Sequence, residues 1–115
     1  MNLFTVILHY GPVDRTARLH RQLLEGDPAE RDRILVFDNC AMELYPGAWS
    51  RSERNLYWAG AFEHVVEVLA ERGASHVWFL NNDLLFMTRP PIIGRARERL
   101  ARAERLAGPV GVYSP

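Results

Sequence analysis

Residues 76–86, HVWFLNNDLLF, decide how this chain reads. The first five, His76 to Leu80, are bulky, β-prone and mostly apolar, the pattern of a central strand buried on both faces of a sheet. The apolar run then stops at Asn81, Asn82 and Asp83. Short oxygen-bearing side chains at the carboxyl end of a buried strand are costly to desolvate without a partner. In open α/β sheets that edge is where ligands bind. A carboxylate flanked by amides suits a hard cation, Mn²⁺ or Mg²⁺, that also holds substrate phosphates. An Asx-rich turn would give the same triplet for local reasons alone, so the remaining elements must decide.

Working outward, residues 59–72 carry Phe62, Val65, Val66, Leu69 and Ala70 at helical spacing, with Gly73 to stop the helix. Glu63, Glu67 and Glu71 form a stripe on another face, the usual pattern of a solvated surface. Toward the N-terminus, residues 3–10 (LFTVILHY) predict a strand ended by Gly11 and Pro12. Asp14 then suits the N-cap of a helix to Glu25, with Ala17, His20, Leu23 and Leu24 inward. Residues 26–32 predict a polar turn and residues 33–37 (RILVF) a second strand, which ends in Asp38 and Asn39. Strand, helix and strand over some thirty-five residues make a βαβ unit with a parallel sheet.

Between the second strand and the second helix the pattern dissolves into a loop with Pro46 and Gly47, with a short edge strand near residues 48–50. After Asp83 comes an apolar loop. Pro90 and Pro91 then suit the first turn of a third helix over residues 92–107, with Ile93, Leu100 and Leu106 near one stripe and arginines outside it. Gly108 and Pro109 end it, and residues 110–113 predict a last short strand.

At 115 residues and 48% hydrophobic, the chain supports one modest core, and residues 1–115 read as a single domain. No apolar run nears the ~20 residues that cross a bilayer. The start lacks the basic region and cleavage site of a signal peptide, so the expected location is cytoplasmic. A single cysteine, Cys40, excludes an intrachain disulfide and reads as a loop or core thiol. Fourteen basic residues balance fourteen acidic ones, which leaves no net field to draw nucleic acid. All the basic residues are arginine, which excludes a P-loop lysine and Schiff-base chemistry. GxGxxG, GxxxxGKS and GxSxG are absent, and four scattered histidines lack zinc spacing. What remains is a set of strand ends on one edge: His9 with Tyr10, Asp38 with Asn39, and Asn81 to Asp83. A ring to stack on a base, an acid to accept from it and a metal-binding acid for a diphosphate together suggest a nucleotide-sugar site.

In that order and spacing, the pieces VILHYGPVDRTARLHRQLL, ILVFDN, RNLYWAGAF, FLNNDLLF and GPVGVYSP resemble the inverting family 2 glycosyltransferases of the GT-A fold. The resemblance implies a three-layer α/β/α domain with a mainly parallel sheet, equivalent to the family's N-terminal, nucleotide-sugar-binding half and so truncated. It implies His9 and Tyr10 at the nucleobase, Asp38 or Asn39 hydrogen-bonded to it, and Asn82 at the ribose. Asn55 falls in the matched nucleotide-binding stretch, Trp58 and Gly60 on the sugar side, and Asp83, in a DxD-like motif, on Mn²⁺ or Mg²⁺. The sequence departs from the family at Tyr57 and Ala61, which replace glycines, and at Glu63, where asparagine is common. The family's acceptor-binding half, with its general base, has no counterpart here, so the expected function is that of an incomplete glycosyltransferase. A non-catalytic nucleotide-sugar-binding module and a nucleotidyltransferase-like enzyme are the alternatives. A partner chain or second copy is expected on the sheet edge that the missing half would cover.

Overall fold

The strand with the most buried residues lies inside the sheet. In the computed structural model, which describes residues 1–109 and 111, β1 (Leu3–His9) has neighbours on both sides, β2 (Ile34–Asp38) and β4 (His76–Asn81). A two-residue strand, β3 (Ser50–Arg51), extends the sheet beyond β2. The order is β3-β2-β1-β4 and every pairing is parallel. Six of the seven β1 residues are buried, as a strand covered on both faces requires.

Alternation along the strands divides two cores. Leu3 and Ile7 of β1, Ile34 and Val36 of β2 and Leu80 of β4 face one side. There they meet Leu19 and Leu23 of α1 (Val13–Gly26) and Ile92 and Ile93 of α3 (Ile92–Ala107). Val6, Leu8 and Phe37 face the other side, against Ala61, Val65 and Leu69 of α2 (Tyr57–Glu71). Helices therefore cover both faces of the sheet. Each fully buried leucine or phenylalanine contributes about 1.5–3 kcal/mol.

Long-range polar contacts fix α3. The Asp27 carboxylate, sixty-five residues away in sequence, caps its first turn: Oδ2 accepts from the N–H groups of Ile92 and Ile93 at 2.8 and 2.9 Å, and Oδ1 from Gly94 at 3.1 Å. These donors are the ones a helix start leaves without intrahelical partners. Farther along, Arg97 clamps Glu30 through two hydrogen bonds of 2.7 and 2.8 Å.

Several expectations are corrected. β4 is an edge strand among the described residues, not the central one, and four of its six residues are only half-buried. β1 takes the middle because both crossovers return beside it. The residue before α1 is Pro12, with no side-chain cap, and Asp14 lies inside the first turn. The buried row of α1 is Thr16, Leu19 and Leu23; of the residues expected inward, Leu23 is buried, Leu24 packs half-buried against the core, and Ala17 and His20 are only half-buried. Residues of the polar turn coil into a 3-10 helix, Pro28–Arg33. Leu106 is exposed, so the apolar stripe of α3 ends before its last turn. The strand expected over residues 110–113 lies outside the described residues, Gly111 apart. The expected edge strand near residues 48–50 is present as β3, displaced by a residue or two.

Candidate functional site

Parallel register brings the strand ends together. His9 lies beside Asp38 on β2, and Leu8 lies beside Asn81 on β4. Just past them, at the carboxyl edge, is a cleft of about 480 Å³. Tyr10, Gly11, Pro12 and Arg15 form one part of its lining, Asn39, Asn55, Tyr57 and Trp58 another, and Asn81, Asn82 and Asp83 a third. Of the residues expected at the site, Tyr10, Asn39, Asn55, Trp58, Asn82 and Asp83 line this cleft. His9, Asp38 and Gly60 do not.

Asp38 is 1% exposed and faces inward. Its Oδ1 accepts from the Ala41 N–H at 3.0 Å and pairs with Arg51 Nη1 at 2.8 Å; its Oδ2 accepts from the Tyr45 N–H at 3.1 Å. Arg51 also donates to the Ala41 carbonyl. The carboxylate thus gathers the loop after β2 around itself. Asn39 does the same one residue on. Its Oδ1 accepts from the Leu56 N–H at 2.8 Å and its Nδ2 donates to Asn55 Oδ1 at 3.0 Å, which fixes the approach to α2.

His9, fully buried, has both ring nitrogens engaged. Nε2 faces the Glu43 carbonyl at 2.6 Å and therefore carries a hydrogen, while Nδ1 shares a hydrogen bond of 2.6 Å with the Thr16 hydroxyl. Thr16 Oγ1 in turn accepts from Asn82 Nδ2 at 3.1 Å, and the same amide donates to the Tyr10 carbonyl at 2.7 Å. With its NH₂ group held from behind, Asn82 has only its Oδ1 left for a ligand, as an acceptor. The sequence reading missed Thr16, although its spacing of three and seven from Leu19 and Leu23 was a signal of burial.

The open side of the cleft has a different character. Tyr10 is 53% and Trp58 50% exposed, and Asn81 and Asp83 are exposed as well. Trp58 is steadied from behind by stacking on Phe62 at 5.3 Å and by an edge contact with Phe79 at 5.6 Å. Among the described residues, Asp83 is the one carboxylate on the lining and Arg15 the one cation. Among the described residues no group of three or more His, Cys, Asp or Glu side chains could cage a metal. A single acid fits a cation that keeps its waters and arrives with phosphate oxygens, the habit of Mg²⁺ and Mn²⁺ at nucleotide sites.

A larger cavity, about 750 Å³, runs along the outer side of β4 between α2 and α3. Its walls are mainly apolar, with Val66, Val77, Trp78 and Leu100, and His76 Nε2 lies within hydrogen-bond distance of Glu104 Oε1 at 2.6 Å. Size favours this groove. The smaller cleft alone gathers exposed aromatics and convergent polar groups, the usual marks of a ligand site.

Compared with family models, with curated proteins and with solved structures, the chain has no match. No helix among the described residues is long and apolar enough to cross a membrane.

Proposed function

We propose that the cleft binds a nucleotide diphospho-sugar together with Mn²⁺ or Mg²⁺, and that the chain is a glycosyltransferase-like domain of the GT-A type. The observation that carries this reading is the convergence, at the carboxyl edge of a parallel sheet, of an exposed tyrosine, an oriented asparagine acceptor and a lone exposed carboxylate. Tyr10 would stack on the base, Asn82 Oδ1 would accept from a ribose hydroxyl, Asp83 would hold the cation and Trp58 would border the sugar. The cation, when bound, offsets charge on the leaving diphosphate.

Binding without catalysis is supported by the acid count. If Asp83 holds the cation, the described residues of the lining offer no second carboxylate as general base on an acceptor hydroxyl. A second copy or partner chain along the side of β4 that has no strand neighbour among the described residues belongs to the same proposal, and sedimentation at several concentrations checks it.

Titration calorimetry tests the reading. Uridine, guanosine or thymidine diphosphate should bind in the presence of Mn²⁺, whereas Mn²⁺ alone should give little heat. Asp83→Asn should abolish the Mn²⁺-dependent part. Equal Mn²⁺-dependent affinity in that variant removes Asp83 from the metal role, and no binding of any nucleotide diphosphate to the native chain removes the proposal.

A further inference from the structure

Tyr57 opens α2 with a backbone φ of +59°. In that left-handed region the Cβ crowds the following carbonyl, so a bulky residue there is strained. The conformation is imposed by its neighbours. Asn55 Oδ1 accepts from the Tyr57 N–H at 2.8 Å, and the Tyr57 carbonyl accepts from Asn39 Nδ2 at 3.4 Å, while Asn39 also holds the preceding Leu56 N–H.

The fold gains little from the ring held at this cost. It is 75% exposed, it forms no ring pair, and its hydroxyl has no hydrogen-bond partner among the described residues. Yet the residue lies on the cleft lining with Tyr10 and Trp58. Strain kept at a site without a folding benefit points to a ligand contact.

We infer that Tyr57 is a ligand-binding residue whose ring gives the cleft a further flat aromatic surface, packing on the apolar face of a ring in the bound nucleotide sugar. The inference rests on the reading of the cleft as a nucleotide-sugar site. That face belongs either to the base or to the sugar, and the two are separable by experiment.

Tyr57→Gly, Tyr57→Ala and Tyr57→Phe, made in the full chain, are compared by thermal unfolding. They are also titrated, with Mn²⁺ present, with uridine diphosphate, guanosine diphosphate and the glucose and mannose conjugates of these two. Gly and Ala both remove the ring, but only Gly is at ease at positive φ, so the Gly variant should melt above the Ala variant and no lower than the native chain. Its affinity should nevertheless fall roughly 5- to 150-fold, the span of one aromatic stack, and Phe should retain binding. An equal loss for diphosphate and conjugate places the ring on the base; a loss confined to conjugates places it on the sugar. Native affinity in the Gly variant, or a Gly variant melting below the Ala variant, overturns the inference while the cleft reading stands. A native chain that binds none of these ligands overturns both.

Discussion

The ends of β2 and β4 look alike in sequence and behave oppositely in the fold. Asp38–Asn39 and Asn81–Asp83 are both short runs of amide and carboxylate after an apolar strand, and both arrive at the same edge of one sheet. At β2 the oxygens turn inward and are used up by loop N–H groups and Arg51. At β4 the Asn82 NH₂ group turns inward, while Asn81 and Asp83 stay exposed at the cleft. Position explains the difference. β2 is followed by a loop that folds back over its end, whereas the turn after β4 leads away toward Gln22, which holds the backbone of Phe86 by two hydrogen bonds of 2.6 and 2.9 Å. An Asx cluster at a strand end is thus a structural clamp or an open site according to what the next segment does.

The contrast is most exposed to test at Asp38. Asp38→Ala leaves Arg51 and two loop N–H groups without their acceptor, and the cost should be about 3 kcal/mol of folding stability. Urea unfolding measures it. A variant of native stability with altered base preference would mean that Asp38 faces the ligand after all and would erase the distinction. Asp83→Asn, by contrast, should shift stability by no more than about 0.5 kcal/mol, as exposed substitutions do.

Next in size is Thr16→Val, which cuts the link between His9 and Asn82. The His9 Nδ1 then lacks a partner in a buried setting, for a loss of about 1–3 kcal/mol. Asn82 would remain tied only to the Tyr10 carbonyl. Thr16→Ser should recover most of the stability. If Val and Ser behave alike, the hydroxyl is not what orients the amide.

Tyr10→Ala sharpens the comparison from the ligand side. Its ring is half-exposed, so stability should hardly change, while nucleotide affinity should drop by about 1–3 kcal/mol. Calorimetry with two different nucleoside diphosphates should show similar losses for both, because a stack does not read base edges.

The smallest effect concerns pH at the clamped end. Burial, with Arg31 adding repulsion, lowers the pKa of His20 from its ordinary 6.5. Its Nδ1 accepts from the hydroxyl of Tyr45, whose N–H is one of those held by Asp38. As pH falls below 6.5, the unfolded chain takes up a proton that the folded ring resists, so stability should decline with falling pH. His20→Gln should flatten that limb of the stability profile. A second decline belongs to Glu30, whose carboxyl is held below its ordinary 4.5 chiefly by the hydrogen bond from Arg97; its contribution is lost only as pH drops below that value. An unchanged profile near pH 6 in His20→Gln would detach His20 from the clamp.

Sequence alone determined the class of the chain and the places where its polar groups would gather. Apolar runs of strand length alternating with helical periodicity require a parallel α/β sheet, because parallel strands need crossovers and crossover helices must bury an apolar face. Parallel direction in turn puts every strand end on one edge, which is why Tyr10, Asn82 and Asp83 are legible as neighbours in the sequence. Tertiary structure decided which strand lies in the middle, since β1 and β4 have similar runs and only pairing order separates them. It also decided what each polar side chain faces. Hydrogen-bond partners such as Arg51 for Asp38, Glu43 for His9 and Asp27 for α3 come from distant points in the chain. Local composition carries no record of those partners, because a carboxylate or an amide is the same residue whether the group across from it is a loop N–H or a ligand.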